Sequence, residues 1–160
     1  YPAINKARIK RSLFFKNDLK GFLNQLEREI IKLEKQALKK GKKLAIRLNG
    51  FSDIDYSLKK YWIKGKAIYD LFPNIQFWDY SKNIDKVLNN PYSNLHLTYS
   101  YNGLNHSECL KAYKNGFNFT VIDIPENRDK WFYKLPAYSG DLTDFRFLDS
   151  KGIIWLSFKK

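Results

Sequence analysis

Four strand-like runs separated by helical stretches constrain this chain more than any other feature. Residues 43–49 close on Gly50, 75–80 follow Pro73, 95–99 follow a turn at Asn89-Asn90-Pro91, and 117–124 stop at Pro125. Between them lie a helical stretch over 58–72, a short helix near 85–88, and a helix from about 107 to 114 that ends at Gly116. Ahead of the first strand, Leu19, Phe22, Leu23, Leu26, Ile30, Leu33 and Ala37 step by three and four, the spacing of one buried helix face. Asn17 or Asp18 stands where an N-cap belongs and Gly41 where a C′ residue belongs. Such alternation is the pattern of right-handed crossovers between parallel strands. The expected fold is α/β, with helix and strand alternating around a mainly parallel sheet or an incomplete β/α barrel. Residues 145–148 and 153–158, joined by Asp149-Ser150-Lys151-Gly152, are expected to add a C-terminal β-hairpin.

The chain has 160 residues, 44% of them hydrophobic, and no low-complexity linker, which suits a single α/β domain over 1–160. It begins at Tyr1 and contains no methionine, which also suits the C-terminal part of a longer protein. No stretch approaches the roughly 18 apolar residues of a transmembrane helix, and no signal peptide is visible, so a cytoplasmic protein is expected. The lone Cys109 excludes an internal disulfide and an iron–sulfur cluster held by this chain alone.

Parallel strands covered on both faces read as unbroken apolar runs. These do not. Because side chains alternate, Arg47 and Asn49 share a side of the first strand, Phe77 and Asp79 of the second, His96, Thr98 and Ser100 of the third, and Val121 and Asp123 of the fourth. Asn49, Asp79, Ser100 and Asp123 fall at strand C-terminal ends, where ligands bind in open α/β sheets and β/α barrels. Ser52, Asp53, Ser81, Lys82 and Asn102 would join that rim. The competing reading has Arg47 pairing with an aspartate and the others capping the helices that follow.

Phosphate-loop, dinucleotide-fingerprint and HExxH motifs are missing, and the two histidines have no partner at metal-ligand spacing. Asp53, Asp79 and Asp123 are the groups that would hold Mg²⁺ in a metal-dependent nuclease. Tyr61, Trp62, Lys64 and Lys66 mix aromatic and basic side chains, as single-strand-binding surfaces do and as ordinary core edges do too.

Charge is unevenly placed. Residues 1–50 hold 14 basic and 4 acidic side chains, a net +10 out of +13 for the chain. Lys6, Arg8, Lys10, Arg11, Lys39, Lys40, Lys42 and Lys43 are the expected contacts for nucleic acid, through phosphate neutralisation. The alternative is a solvated, partly salt-bridged helix surface from an AT-rich genome, with Glu27, Glu29 and Glu34 set against Lys20, Arg28, Lys32, Lys35, Lys39 and Lys40.

The string Ala45-Ile46-Arg47-Leu48-Asn49-Gly50-Phe51-Ser52-Asp53-Ile54 resembles the RLNGxSDI signature of the phage gene-product-88 family. Phe72 to Lys82, Asn94 to Ser100, and Asp144 to Asp149 with Gly152 follow in matching order. The resemblance implies a phage or mobile-element protein acting in the host cytoplasm. It marks Arg47, Asn49, Ser52, Asp53, Asp79, Lys82, His96, Ser100, Asp144 and Arg146 as recurring polar positions, without catalytic roles. Members are similar, remotely, to radical S-adenosylmethionine barrels in carrying a cysteine-containing segment ahead of the region where this chain starts. Three functions follow as expectations: binding of nucleic acid or a nucleotide-like anion, an enzyme with a strand-end site, and a host-interaction protein without catalysis. No oligomeric state is expected from these features.

Overall fold

The computed structural model describes residues 2–50, 52–124 and 134–157, and these fall into two compact units. One comprises Tyr1–Leu44 and Tyr56–Ile75, the other Ala45–Asp55 and Gln76–Lys160.

The first unit is built on two helices, α1 (Pro2–Asn17) and α2 (Leu19–Lys39). Asp18 separates them: its backbone leaves the helical region, and its carboxylate accepts the Gly21 N–H at 2.8 Å as the N-cap of α2. Leu23 and Ile30 of α2 are buried, and Gly41 follows the helix at φ 63°, a conformation glycine adopts without strain. The helix α1 is a departure from expectation, since residues 2–17 carry no apolar periodicity and none of their side chains is buried. Phe14 and Phe15 tie its last turn to Phe22, with ring centroids 5.7 and 5.2 Å apart.

The helix expected over 58–72 is broken. A 3-10 turn at Lys59–Tyr61 is followed by a bridge between Ile63 and Lys66, and only Ile68–Leu71 (α3) is α-helical. Lys64 at φ 52° and Gly65 at φ 79° turn the chain back on itself there, which a helix cannot accommodate. Ile63, Ala67, Ile68 and Phe72 are buried all the same, so their spacing mimicked a helical stripe.

The second unit is a six-stranded, all-parallel sheet in the order β1-β2-β3-β4-β6-β5. Its strands are β1 (Ala45–Ile46), β2 (Gln76–Ser81), β3 (Leu95–Ser100), β4 (Phe119–Asp123), β5 (Ala137–Ser139) and β6 (Ile153–Ser157). The sheet does not close, so β1 and β5 are its edges. Helix α4 (Ile84–Leu88) connects β2 to β3 and α5 (His106–Lys114) connects β3 to β4. Asn83 caps α4 by accepting the N–H groups of Asp85 and Lys86.

The C-terminal hairpin does not form. Arg146–Leu148 is a 3-10 turn, and β6 runs parallel to both of its neighbours, β4 and β5. Both edges of β6 are taken, by β4 and β5, so residues 145–148 have no edge of it to pair with, and Arg146 is buried instead with its guanidinium donating to the Gly140 carbonyl at 2.8 Å. The first strand is also shorter than its alternating pattern. Asp79 accepts the N–H groups of Tyr80 and Asn49, each at 3.0 Å, and so replaces the next rung of the β1–β2 ladder with side-chain bonds.

Candidate functional site

Strand register decides which side chains share a face. Phe77, Asp79 and Ser81 stand opposite Leu95, Leu97 and Tyr99, while Trp78 and Tyr80 stand opposite His96 and Thr98. Ser100 aligns with Thr120, and Ile122 with Leu156. One face is apolar at its centre and carries α4 and α5, as the Asn83 N–H to Ser81 and Asn105 to Tyr99 hydrogen bonds indicate. The other is polar along β2, β3 and β4, with Tyr80, His96, Thr98, Ser100 and Thr120 in neighbouring rows.

At the strand C-terminal ends this polar face opens into a cleft of about 710 Å³. Ser100 and Thr120 line it from β3 and β4, the Thr120 hydroxyl donating to the Tyr99 carbonyl at 3.3 Å, and Ile122 and Leu156 contribute apolar surface from β4 and β6. Arg47 and Lys82 line it from the chain just past β1 and β2. Gly140, Asp141, Thr143 and Asp144 line it from the chain past β5.

Arg47 is held before any ligand arrives. Its guanidinium carbon lies 4.7 Å from the centroid of the Tyr80 ring and 5.3 Å from that of Trp78, and its Nε is 3.4 Å from Asp79. Burial pushes the Asp79 carboxyl above its ordinary range, against hydrogen bonds from Asn49 and Tyr80 and the Arg47 charge. Below the cleft, Arg146 is fully buried and lies 3.3 Å from Asp149 through Nη1. Among the described residues its Nε and Nη1 make no hydrogen bond, and neither do the buried Thr98 Oγ1 and His96 Nε2. Burial, with the Arg146 charge second, holds His96 below the usual histidine value.

The expected rim thus divides. Arg47, Lys82 and Ser100 line the cleft, and His96 shares its face deeper in the sheet. Asn49, Ser52 and Asp53 serve the loop after β1. The Asn49 side chain donates to the Ile54 carbonyl at 2.9 Å and accepts from Ser52 at 2.7 Å. Asp53 accepts from Ser81 Oγ and the Lys82 N–H, both at 2.8 Å, and pairs with Lys86 at 2.7 Å. Burial raises the Asp53 carboxyl, but the Lys86, Lys82 and Ser81 bonds outweigh it and hold the group below its ordinary value. Asn102 spends its side-chain oxygen on the Leu104 and Asn105 N–H groups.

Asp79 and Asp123 lie on the helix-bearing face, opposite Ser100, so the strand-end residues expected to form one rim divide between two faces. Alternation fixes sides within a strand but not between strands. Asp79 on β2 and Asp123 on β4 are two strand spacings apart, about 10 Å, too far for one ion with oxygen ligands at about 2.0–2.6 Å. Among the described residues no three His, Cys, Asp or Glu side chains come together as a metal site, so the aspartates do not fit the Mg²⁺ expected of them. Thr120, Asp141 and Thr143 escaped the sequence reading. Cross-strand register would have found Thr120, and Asp144 already stood inside a family motif.

The basic residues occupy the first unit. Lys6, Arg8, Lys10 and Arg11 are distributed around α1, and Lys39, Lys40, Lys42 and Lys43 are exposed at the end of α2 and beyond it. On α2, Arg28, Lys32, Lys35 and Lys39 line one stripe, within about 60° at 100° per residue, on the side away from Leu23 and Ile30. No ion pair involves these four among the described residues. Glu27, expected to balance such charges, pairs instead with Lys64 at 2.7 Å. No described helix is long and apolar enough to cross a membrane.

No curated protein and no solved structure matches the chain. The family model of gene product 88 matches residues 1–160, and the chain therefore belongs to this family of phage proteins.

Proposed function

We propose that this phage-family protein binds nucleic acid through the basic ridge of α2. The observation that carries this reading is the stripe of Arg28, Lys32, Lys35 and Lys39, which runs opposite the buried face of its helix with no acidic side chain inside it. Side chains at i and i+3 or i+4 repeat about every 5–6 Å along a helix, so the stripe offers a row of charges to a row of phosphates. Neutralising those phosphates releases counterions, which makes the interaction salt-dependent and largely independent of sequence. The basic residues of α1 add to the field around the ridge.

The test is fluorescence anisotropy with labelled single- and double-stranded DNA and RNA across a salt series. Four phosphate contacts predict a duplex salt slope of about −3.6 in log–log form. Changing Arg28, Lys32, Lys35 and Lys39 together to Gln should remove most of that slope. Absence of binding at low ionic strength would end the reading, and unchanged binding by the fourfold variant would move the contact elsewhere.

A further inference from the structure

The strand-end cleft lies in the second unit and plays no part in the ridge of α2, so it asks for its own ligand. Three features describe that ligand. The cleft volume of about 710 Å³ falls in the range of small-molecule sites, roughly 300–1,000 Å³. Its charges are sorted by the strand order: Arg47 and Lys82 come from the β1–β2 side, Asp141 and Asp144 from the chain after edge strand β5, and the Ser100 and Thr120 hydroxyls stand between. The β2 and β6 strands are three spacings apart, about 14 Å, so a compact inorganic anion would engage only one side.

The cationic side is preorganised. Asp79 and the Tyr80 and Trp78 rings hold Arg47 through its Nε and its planar face, which leaves the outer guanidinium nitrogens to grip an anion in bidentate fashion. On the other side, Asp141 already accepts from the Ser157 N–H and hydroxyl, whereas the Asp144 side chain is exposed at the cleft wall. A carboxylate there accepts from an amino group, as Asp and Glu do from the exocyclic amine of cytosine. Beneath the floor, Arg146 Nε and, on one face of β3, Thr98 Oγ1 and His96 Nε2 have no hydrogen-bond partner among the described residues, and buried polar atoms without partners are rare in folded proteins. Gly140, which lines the cleft, has no side chain where Arg146 Nη1 sits: an added Cβ would lie 2.4 Å from it.

We infer that this cleft binds an amphoteric ligand of mononucleotide size, its phosphate on Arg47 and Lys82, its sugar hydroxyls on Ser100 and Thr120, and an amino-bearing base on Asp144. The site is independent of the ridge on α2, so either can fail without the other.

Isothermal titration of the full chain with CMP, UMP and cytidine tests it. A hydrogen bond to a charged group discriminates by about 1.4 kcal/mol or more, so CMP should bind about ten-fold tighter than UMP. Cytidine, lacking the phosphate, should bind at least about ten-fold more weakly than CMP. Lys82→Ala should weaken CMP and UMP by the same factor, and Asp144→Ala should erase the preference between them. Both side chains are exposed, so these variants should fold, which circular dichroism would verify. The fourfold Gln variant of α2 should bind CMP as the parent does. No heat with CMP, equal affinity for CMP and UMP, or a preference that survives Asp144→Ala would overturn the proposal.

Discussion

Replacing Asp79 with alanine tests whether one buried carboxylate organises the start of the sheet. The residue is 4% exposed and its carboxylate accepts two backbone N–H groups at 3.0 Å, from Asn49 and Tyr80. Alanine leaves both donors in place without their acceptor. A buried donor left unpaired costs about 1–3 kcal/mol. Asn49 is 2% exposed and bears that cost in full, whereas half-buried Tyr80 recovers part of it from water, giving roughly 2–4 kcal/mol together. The variant is also relieved of a desolvated charge, because burial holds the Asp79 carboxyl above its ordinary value. A net local loss of about 2 kcal/mol corresponds to about a 30-fold faster opening equilibrium. Amide hydrogen exchange read by NMR should show this at Asn49, with Ala112 of α5 unchanged. The pH dependence has a definite sign. A folded-state value above the unfolded one means the folded protein binds more protons, so stability from Asp79 is complete at low pH and declines as pH rises through the folded value. The gap between parent and variant should therefore shrink from the carboxylate range toward neutrality. Unaltered exchange at Asn49, or a gap that widens with pH, would refute the reasoning.

Three other outcomes follow. Gly140→Ala would place a Cβ 2.4 Å from Arg146 Nη1 and 2.6 Å from Ile154 Cγ2, and urea denaturation should show a loss of about 1–3 kcal/mol, while Gly50→Ala, whose Cβ meets nothing within 4 Å, should be nearly silent. Asp53 is held below its ordinary value, so the stability it supplies is present above that value and lost as pH falls through the lowered one; with Lys86→Met, the carbon-13 titration of the Asp53 carboxyl should move back up. Cys109 is fully buried with its thiol pushed up to about 12, so iodoacetamide at pH 8 should leave the native protein unlabelled and react once urea is added.

Much of the sheet was legible because its signals are local. Periodicity with an Asp cap and a following glycine placed α2, and turn residues bracketed β2, β3 and β4. What escaped depends on partners remote in sequence. Residues 137–139 have no strand pattern of their own and become β5 only by lying beside β6. Residues 145–148 alternate like a strand but turn, because β4 and β5 take both edges of β6. The location of the site at strand ends could be read from alternation, since Arg47, Lys82 and Ser100 do meet there. The roles of Asn49, Ser52 and Asp53 could not, because whether a polar group caps a loop or meets a ligand depends on donors up to 33 residues away, as Lys86 shows for Asp53.

The position of β6 between β4 and β5 has a kinetic consequence. It follows β5 in the chain, yet it is the strand to which both β4 and β5 pair. During synthesis β5 emerges before the strand it pairs with, and the edge of β4 that β6 will cover stays open until β6 has left the ribosome. Assembly of this half of the sheet therefore waits on its last described strand, a long-range insertion of the kind that slows folding. Until it occurs, the nascent chain presents an unprotected strand edge to its surroundings.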